Sequence, residues 1–121
     1  MMYQKAVHFN DLASAEQILE TDDVAEIKAL GRGVTGYEES CWNGIRQIIV
    51  YEGLIAKFSQ NEELKKLLVG TGNDILAECA VKDRIWGIGI SMKDSDRFDK
   101  TKWKGQNLLG YAIMMVRSRL R

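Results

Sequence analysis

ECAVKDRIWGIGISMKDSDRFDKTKWKGQNLLG, residues 78–110, gathers two of the three tryptophans, a Glu and an Asp five positions apart, and two glycine turns. An ordinary connection is about 4 to 6 residues long and needs few aromatic or acidic positions. The segment therefore reads as a functional loop held between packed helices, with Lys104-Gly105-Gln106-Asn107 as the turn that launches the last helix. Just upstream, Ile75 to Ala80 is short, apolar and bounded by turn residues, and is the best strand candidate in the chain.

Outward from this loop the pattern is helical. Ile48, Tyr51, Ile55 and Phe58 recur at helical spacing, as do Trp42, Ile45, Ile49 and Ala56, so a long central helix is expected over about Glu38–Gln60. Asn61 should cap a shorter helix, Glu62–Val69, whose acidic residues come first and whose lysines follow, the sense the helix dipole favours. The last helix is expected over Asn107–Arg119, with Leu109, Ala112, Ile113, Val116 and Leu120 facing inward. In the first third, Met1–Phe9 reads as helix, Asn10-Asp11 caps Leu12–Leu19, and Asp22 or Asp23 caps Val24–Leu30, with Gly31 as its stop. The chain has no Pro, in keeping with a helix-rich domain.

Composition narrows the function classes. At 121 residues and 45% apolar content the chain suits one domain with one core. Lys plus Arg and Asp plus Glu both number 17, so no net field favours nucleic acid or an anionic membrane. No apolar run approaches the roughly 20 residues of a membrane span, and the N-terminal residues lack the apolar core of a signal peptide. A cytoplasmic location is expected. Cys41 and Cys79 have no CxxC spacing and His8 is the only histidine, so a Cys/His zinc site cannot be assembled, and both cysteines read as buried thiols. Gly31-Arg32-Gly33-Val34-Thr35-Gly36 invites a phosphate-loop reading, but no strand precedes it and no Gly-Lys-Ser/Thr follows. Arg32 remains either an anion contact or a solvated side chain.

Glu78 and Asp83 flank a turn leading into Trp86-Gly87. Two carboxylates and an indole suit glycosidic bond cleavage: one carboxylate stabilises an oxocarbenium-like transition state or activates water, another group handles the leaving group's proton, and the ring stacks on base or sugar. On composition and spacing alone the plainer reading leads, with Glu78 facing solvent, Asp83 capping a turn and Trp86 in the core.

The paired segments Asp83-Arg84-Ile85-Trp86-Gly87-Ile88-Gly89 and Trp103-Lys104-Gly105-Gln106-Asn107-Leu108-Leu109-Gly110 resemble the NADAR family, also called YbiA-like. The likeness extends through MMYQKA, Gly31-Arg32-x-Val34, Trp42 with Arg46, Ala56 to Asn61, and Thr71-Gly72, and so covers nearly the whole chain. The resemblance implies one mainly α-helical domain over residues 1–121 with a small β component. It also implies an N-glycosyl hydrolase, acting on ribosylamino-pyrimidine intermediates of riboflavin synthesis or on ADP-ribosylated guanine. The alternative is a catalytically weak module that binds ADP-ribose or a nucleotide without turnover.

Residues carried over by motif are Lys5, Glu78 and Asp83 as catalytic candidates, with Trp86, Gly87 and Asn107 on the substrate side. Arg32 joins the binding set as an anion contact. Glu78 or Asp83 would serve as acid/base or as the stabilising carboxylate. Lys5 would bind phosphate or, if burial lowers its pKa, attack an opened ribose aldehyde. No cofactor and no obligatory metal is expected. The expected partners are a nucleotide or ribose-phosphate substrate and, as a further class, ADP-ribosylated nucleic acid. Family members begin with a β-containing, aromatic-rich segment ahead of MMYQKA, so the chain is expected to be N-terminally shortened and to form a homo-oligomer through the surface thereby left open.

Overall fold

The computed structural model describes residues 1–121. Six α-helices account for most of it: α1 Met2–His8, α2 Leu12–Leu19, α3 Val24–Arg32, α4 Glu39–Gln60, α5 Glu62–Gly70 and α6 Leu108–Leu120. Two short 3-10 turns, Ser95–Phe98 and Lys100–Lys102, interrupt the long loop before α6. The chain forms two compact units, Met1–Val50 and Tyr51–Arg121, with the boundary inside α4.

The first unit packs α1, α2 and α3 around Ala6, Ala15, Ile18 and Val34, with Met2, Phe9, Ile27 and Leu30 closing over them. Asp11 is the residue that joins its parts. As N-cap of α2 it accepts the Ser14 N–H through Oδ1 at 3.1 Å, while Oδ2 accepts the Ser14 hydroxyl at 2.7 Å and the Thr35 N–H at 3.0 Å. One side chain thus satisfies an orphan amide of the helix start and ties down the loop after α3. Asp23 caps α3 in the simpler way, accepting from Ala25 and Glu26.

The helix α3 runs on through Gly31, which was expected to stop it. Gly31 is buried, and a Cβ there would collide with the Met2 side chain, so its role is close packing of α3 on α1. The expected inward faces are also only partly realised. Ala15 and Ile18 of α2 are buried, but Leu12 is exposed and Leu19 is 68% exposed; Val24 and Ile48 likewise face outward. Short helices show several side chains to solvent, and the helical period alone assigns a stripe without saying how much of it a neighbour covers.

In the second unit Leu68, Ile88, Ile90 and Val116 form the buried apolar set. Arg117 is only 4% exposed, yet no carboxylate pairs with it. Its Nη1 donates to the Thr71 hydroxyl at 2.7 Å, and that hydroxyl donates to the Leu68 carbonyl at 2.6 Å. Arg121 adds bonds to the Gly72 carbonyl and the Asn73 side chain. Both cations therefore sit at the C-terminal end of α5, where the negative end of the helix dipole compensates them.

The small β component is not found: Ile75–Ala80 has no regular secondary structure and pairs with no strand, and the chain contains no β-ladder. The physical reason is a side chain. Asn107, fully buried and in the left-handed region at φ 54°, turns its amide onto this segment. Its Oδ1 accepts the Glu78 N–H at 3.0 Å and its Nδ2 donates to the Leu76 carbonyl at 2.9 Å, the two bonds a neighbouring strand would have made. Asn107 stands at the N-cap position of α6, but its side chain does not cap.

Two expected outcomes follow from these bonds. Hydrogen bonds, first from Thr35 and then from Ser14, pull the Asp11 carboxyl down to about 2, against about 3.9 in an unfolded chain. A depressed folded pKa stabilises above the unfolded value and loses that contribution as pH falls. Thermal midpoints measured from pH 6 to pH 2 should thus drop through the window from about 4 to about 2, and Asp11→Asn should flatten that drop; an unchanged profile in the variant would refute the assignment. Replacing Asn107 by Ala leaves a carbonyl and an N–H without partners, at about 1–3 kcal/mol each, so urea unfolding should show a loss of about 2–5 kcal/mol. Asn107→Asp, nearly isosteric, sets an oxygen against the Leu76 carbonyl and should also be clearly destabilised; wild-type stability in that variant would contradict the bonding scheme.

Candidate functional site

The seven sequence-predicted residues fall in both units: Lys5 and Arg32 in the first, and Glu78, Asp83, Trp86, Gly87 and Asn107 in the second. Lys5 lies on α1 with its side chain half-buried. Its Nζ donates to the Gly31 carbonyl at 2.7 Å, stands 4.3 Å from the centre of the Tyr37 ring, and lies 5.8 Å from that of Trp42. Lys5 forms no ion pair with a carboxylate. Aromatic faces attract a cation but stabilise it less than a carboxylate does. Burial accordingly holds the Lys5 ammonium below the ordinary lysine range. Arg32 ends α3 and is exposed, one residue beyond the carbonyl that Lys5 grips.

His8, one turn along α1 from Lys5, places Nε2 3.0 Å from the Cys41 sulfur at the start of α4. Neither cysteine is a buried thiol. Cys41 and Cys79 are both half-exposed. Tyr37, whose ring shares the Lys5 ammonium with Trp42, was not singled out from sequence; an aromatic directly after a glycine turn carries no periodic signal.

In the second unit two loops lock together through backbone alone. The carbonyls of Arg84, Ile85, Trp86, Gly87 and Ile88 accept the N–H groups of Gln106, Leu108, Leu109, Asn107 and Lys104 at 2.8–3.1 Å. The first amides of α6, which would otherwise be orphans, are thereby satisfied. Glycine is required where the loops touch: a Cβ on Gly105 would overlap the Gly87 carbonyl and Arg84, and one on Gly87 would lie 2.8 Å from the Asp83 carbonyl and 2.9 Å from that of Glu78. Gly87 therefore lets the backbones of Glu78 and Asp83 approach it, and Gly110 leaves room for the Leu76 carbonyl and the Asn107 side-chain amide.

The two carboxylates differ in state. Asp83 Oδ1 accepts the Ile85 N–H at 3.0 Å and the Trp86 N–H at 2.8 Å, so it shapes the turn that presents Trp86. Glu78 has its backbone held on both sides, its N–H by Asn107 and its carbonyl by the amides of Ala80 and Ile88. Its side chain is exposed and takes part in no ion pair. No group of three or more His, Cys, Asp or Glu side chains is placed to hold a metal ion. No helix is long and apolar enough to cross a membrane.

The NADAR domain model matches residues 1–121. The chain is 39% identical over 117 residues to the protein named N-glycosidase R617 of Acanthamoeba polyphaga mimivirus, covering 97% of this chain and 69% of that one. It is 36% identical to protein irg-1 of Caenorhabditis elegans over 98% of its own length and 57% of that protein. A riboflavin biosynthesis protein of Vibrio vulnificus is 31% identical over 98% of this chain, which spans only 29% of that longer protein.

If the environment of Lys5 is as described, its ammonium should lose its proton below the ordinary lysine value, read by NMR of the Cε methylene across a pH series. Tyr37→Leu removes the nearer ring and should move the midpoint further down. A parent midpoint at or above the ordinary value would show that burial does not govern this amine.

Proposed function

The chain belongs to the NADAR domain family, and on that premise we propose that it is an N-glycosidase hydrolysing the C–N bond between a ribose-type sugar and a nitrogen base. The observation that carries this reading is Glu78: an unpaired carboxylate on a backbone clamped at both its N–H and its C=O. A proton-transfer group must be free to accept and return a proton, yet be held in place while it does so. Asp83, with one oxygen committed to two backbone amides, fits the positioning of Trp86 better than proton transfer.

In the proposed reaction the Glu78 carboxylate takes a proton from water as the water oxygen bonds to the anomeric carbon; the C–N bond breaks with its electron pair passing to the base nitrogen, which takes up that proton from Glu78, so the net change is addition of one water. Trp86, in the same unit as Glu78, offers a face for base or sugar; in the first unit, taken by itself, Arg32 is an exposed cation suited to phosphate. Lys5 supplies an amine that reaches its nucleophilic form more readily than a solvated lysine, suited to attack on the aldehyde of an opened ribose. We assign the substrate class to ribosylamino-pyrimidine phosphates or ADP-ribosylated guanine. The relatives named as an N-glycosidase and as a riboflavin biosynthesis protein support that assignment. The engaged state of Asp83 favours the second reading, a nucleotide-binding module with weak turnover, to the extent that catalysis needs both carboxylates.

Chromatographic release of free base from each substrate class tests this directly. The parent should release base from at least one of them. Glu78→Gln should lower the rate by about 10²–10⁴-fold, the usual contribution of a general acid–base group, and Lys5→Ala should impair it as well. Undiminished turnover in Glu78→Gln would remove Glu78 from the mechanism. No release by the parent, together with a ligand-dependent rise in Tm, would establish the binding module instead.

A further inference from the structure

A pocket of about 260 Å³ opens in the second unit on the side lined by Ile75, Ala77 and Cys79, and Glu78 is not among its lining residues. Its other wall comes from the loop before α6: Met92, Arg97, Phe98 and Trp103. That wall is built in advance. Asp94 caps the 3-10 turn by accepting the Asp96 N–H; the Arg97 Nη1 donates to the Asp94 carbonyl at 2.9 Å; and the Trp103 indole N–H donates to the Arg97 carbonyl at 2.9 Å.

Within this frame the Arg97 guanidinium stacks on Phe98, 4.1 Å from the ring centre, while Phe98 stays 81% exposed. Arg97 belongs to neither of the chain's ion pairs, since the neighbouring Asp96 and Asp99 engage Lys102. Along the opposite wall the backbone N–H and C=O of Ala77 have no partner within the chain, because the Asn107 amide serves Leu76 and Glu78 only.

We propose that this pocket binds the planar heterocycle of an anionic nucleotide, with the ring stacked on Phe98 and Trp103 and the phosphate paired with Arg97. Each part of that chemistry answers one feature of the wall. Exposed aromatic rings and a stacked guanidinium take any flat π-system. An arginine without a counter-charge takes a phosphate. The free N–H and C=O of Ala77 offer the donor and acceptor that the edge of a base requires. The volume lies just below the about 300–1,000 Å³ of pockets for drug-sized ligands, so it admits a base with part of its sugar. The inference does not rest on the reaction proposed above, and binding and turnover are read separately.

Guanosine monophosphate is the probe, titrated into the ¹⁵N-labelled chain and followed by NMR and by tryptophan fluorescence. Saturable shifts are expected at residues 75–79, 92, 97, 98 and 103. Phe98→Ala should weaken binding by about tenfold, the scale of one base–aromatic stack, and because Phe98 is already in solvent the variant should fold. Arg97→Met should abolish the preference for guanosine monophosphate over guanosine, and Arg97→Lys should restore part of it. The same affinity in Phe98→Ala, or saturable shifts confined to other residues, would overturn the proposal. So would concentration-dependent shifts of Ile75, Met92 and Phe98 without ligand, which would mean that a second copy of the chain covers the pocket.

Discussion

A segment without a neighbouring strand must still place its N–H and C=O groups, and for the Leu76 carbonyl and the Glu78 N–H the partner is one side chain, the Asn107 amide. For that amide to reach, Asn107 adopts a left-handed backbone, which Asn tolerates better than most residues. Its own N–H then bonds to the Gly87 carbonyl, and Gly110 must lack a Cβ so that the Leu76 carbonyl fits beside it. Glu78 thus has its N–H held by Asn107, while its carbonyl is held by the amides of Ala80 and Ile88. The loop 83–89 takes its place through the Gly105 contact and the five amides that follow one another into α6. Two segments far apart in sequence are rigid because each satisfies the backbone of the other.

The first unit solves a different electrostatic problem. Asp11 and Lys5 are opposite charges, and neither is neutralised by an ion pair. Asp11 is surrounded by donors, three hydrogen bonds from Ser14 and Thr35, which favour the charged form and make it a fastening. Lys5 has one carbonyl and two ring faces, too little to offset its loss of water, so its charged form is disfavoured. The surroundings of the two groups therefore favour the charged form of Asp11 and disfavour that of Lys5.

Much of the helical framework was legible because local chemistry determines it. Asp11 ahead of Leu12 marked the start of α2, and the acidic pair Glu62-Glu63 marked that of α5, where Asn61 stands at the N-cap position without a side-chain bond to the helix. What was not legible depended on distant residues. Ile75–Ala80 has the composition of a strand, and only the position of Asn107, some 30 residues on, takes its hydrogen bonds away from a ladder. Gly31 looked like a helix stop because its contact with Met2 lies across the unit. The candidate site was legible as a motif and not as a set of roles. Sequence alone treats Glu78 and Asp83 as equivalent carboxylates, whereas folding commits one of them to the backbone of Ile85 and Trp86.

That division bears on how an N-glycosidase of this design would work. Cleaving a C–N bond asks for little charge on the protein at rest and for a proton at one atom at one moment. With Asp83 committed to the turn before Trp86, Glu78 is left as a carboxylate without an ion pair, on a backbone held at both its N–H and its C=O. The glycines follow from the same economy of space. Every side chain that could have filled the junction of the two loops is absent, at Gly87, Gly105 and Gly110, so that carbonyls and amides meet directly and the exposed Glu78 side chain is carried by a frame with little freedom to move.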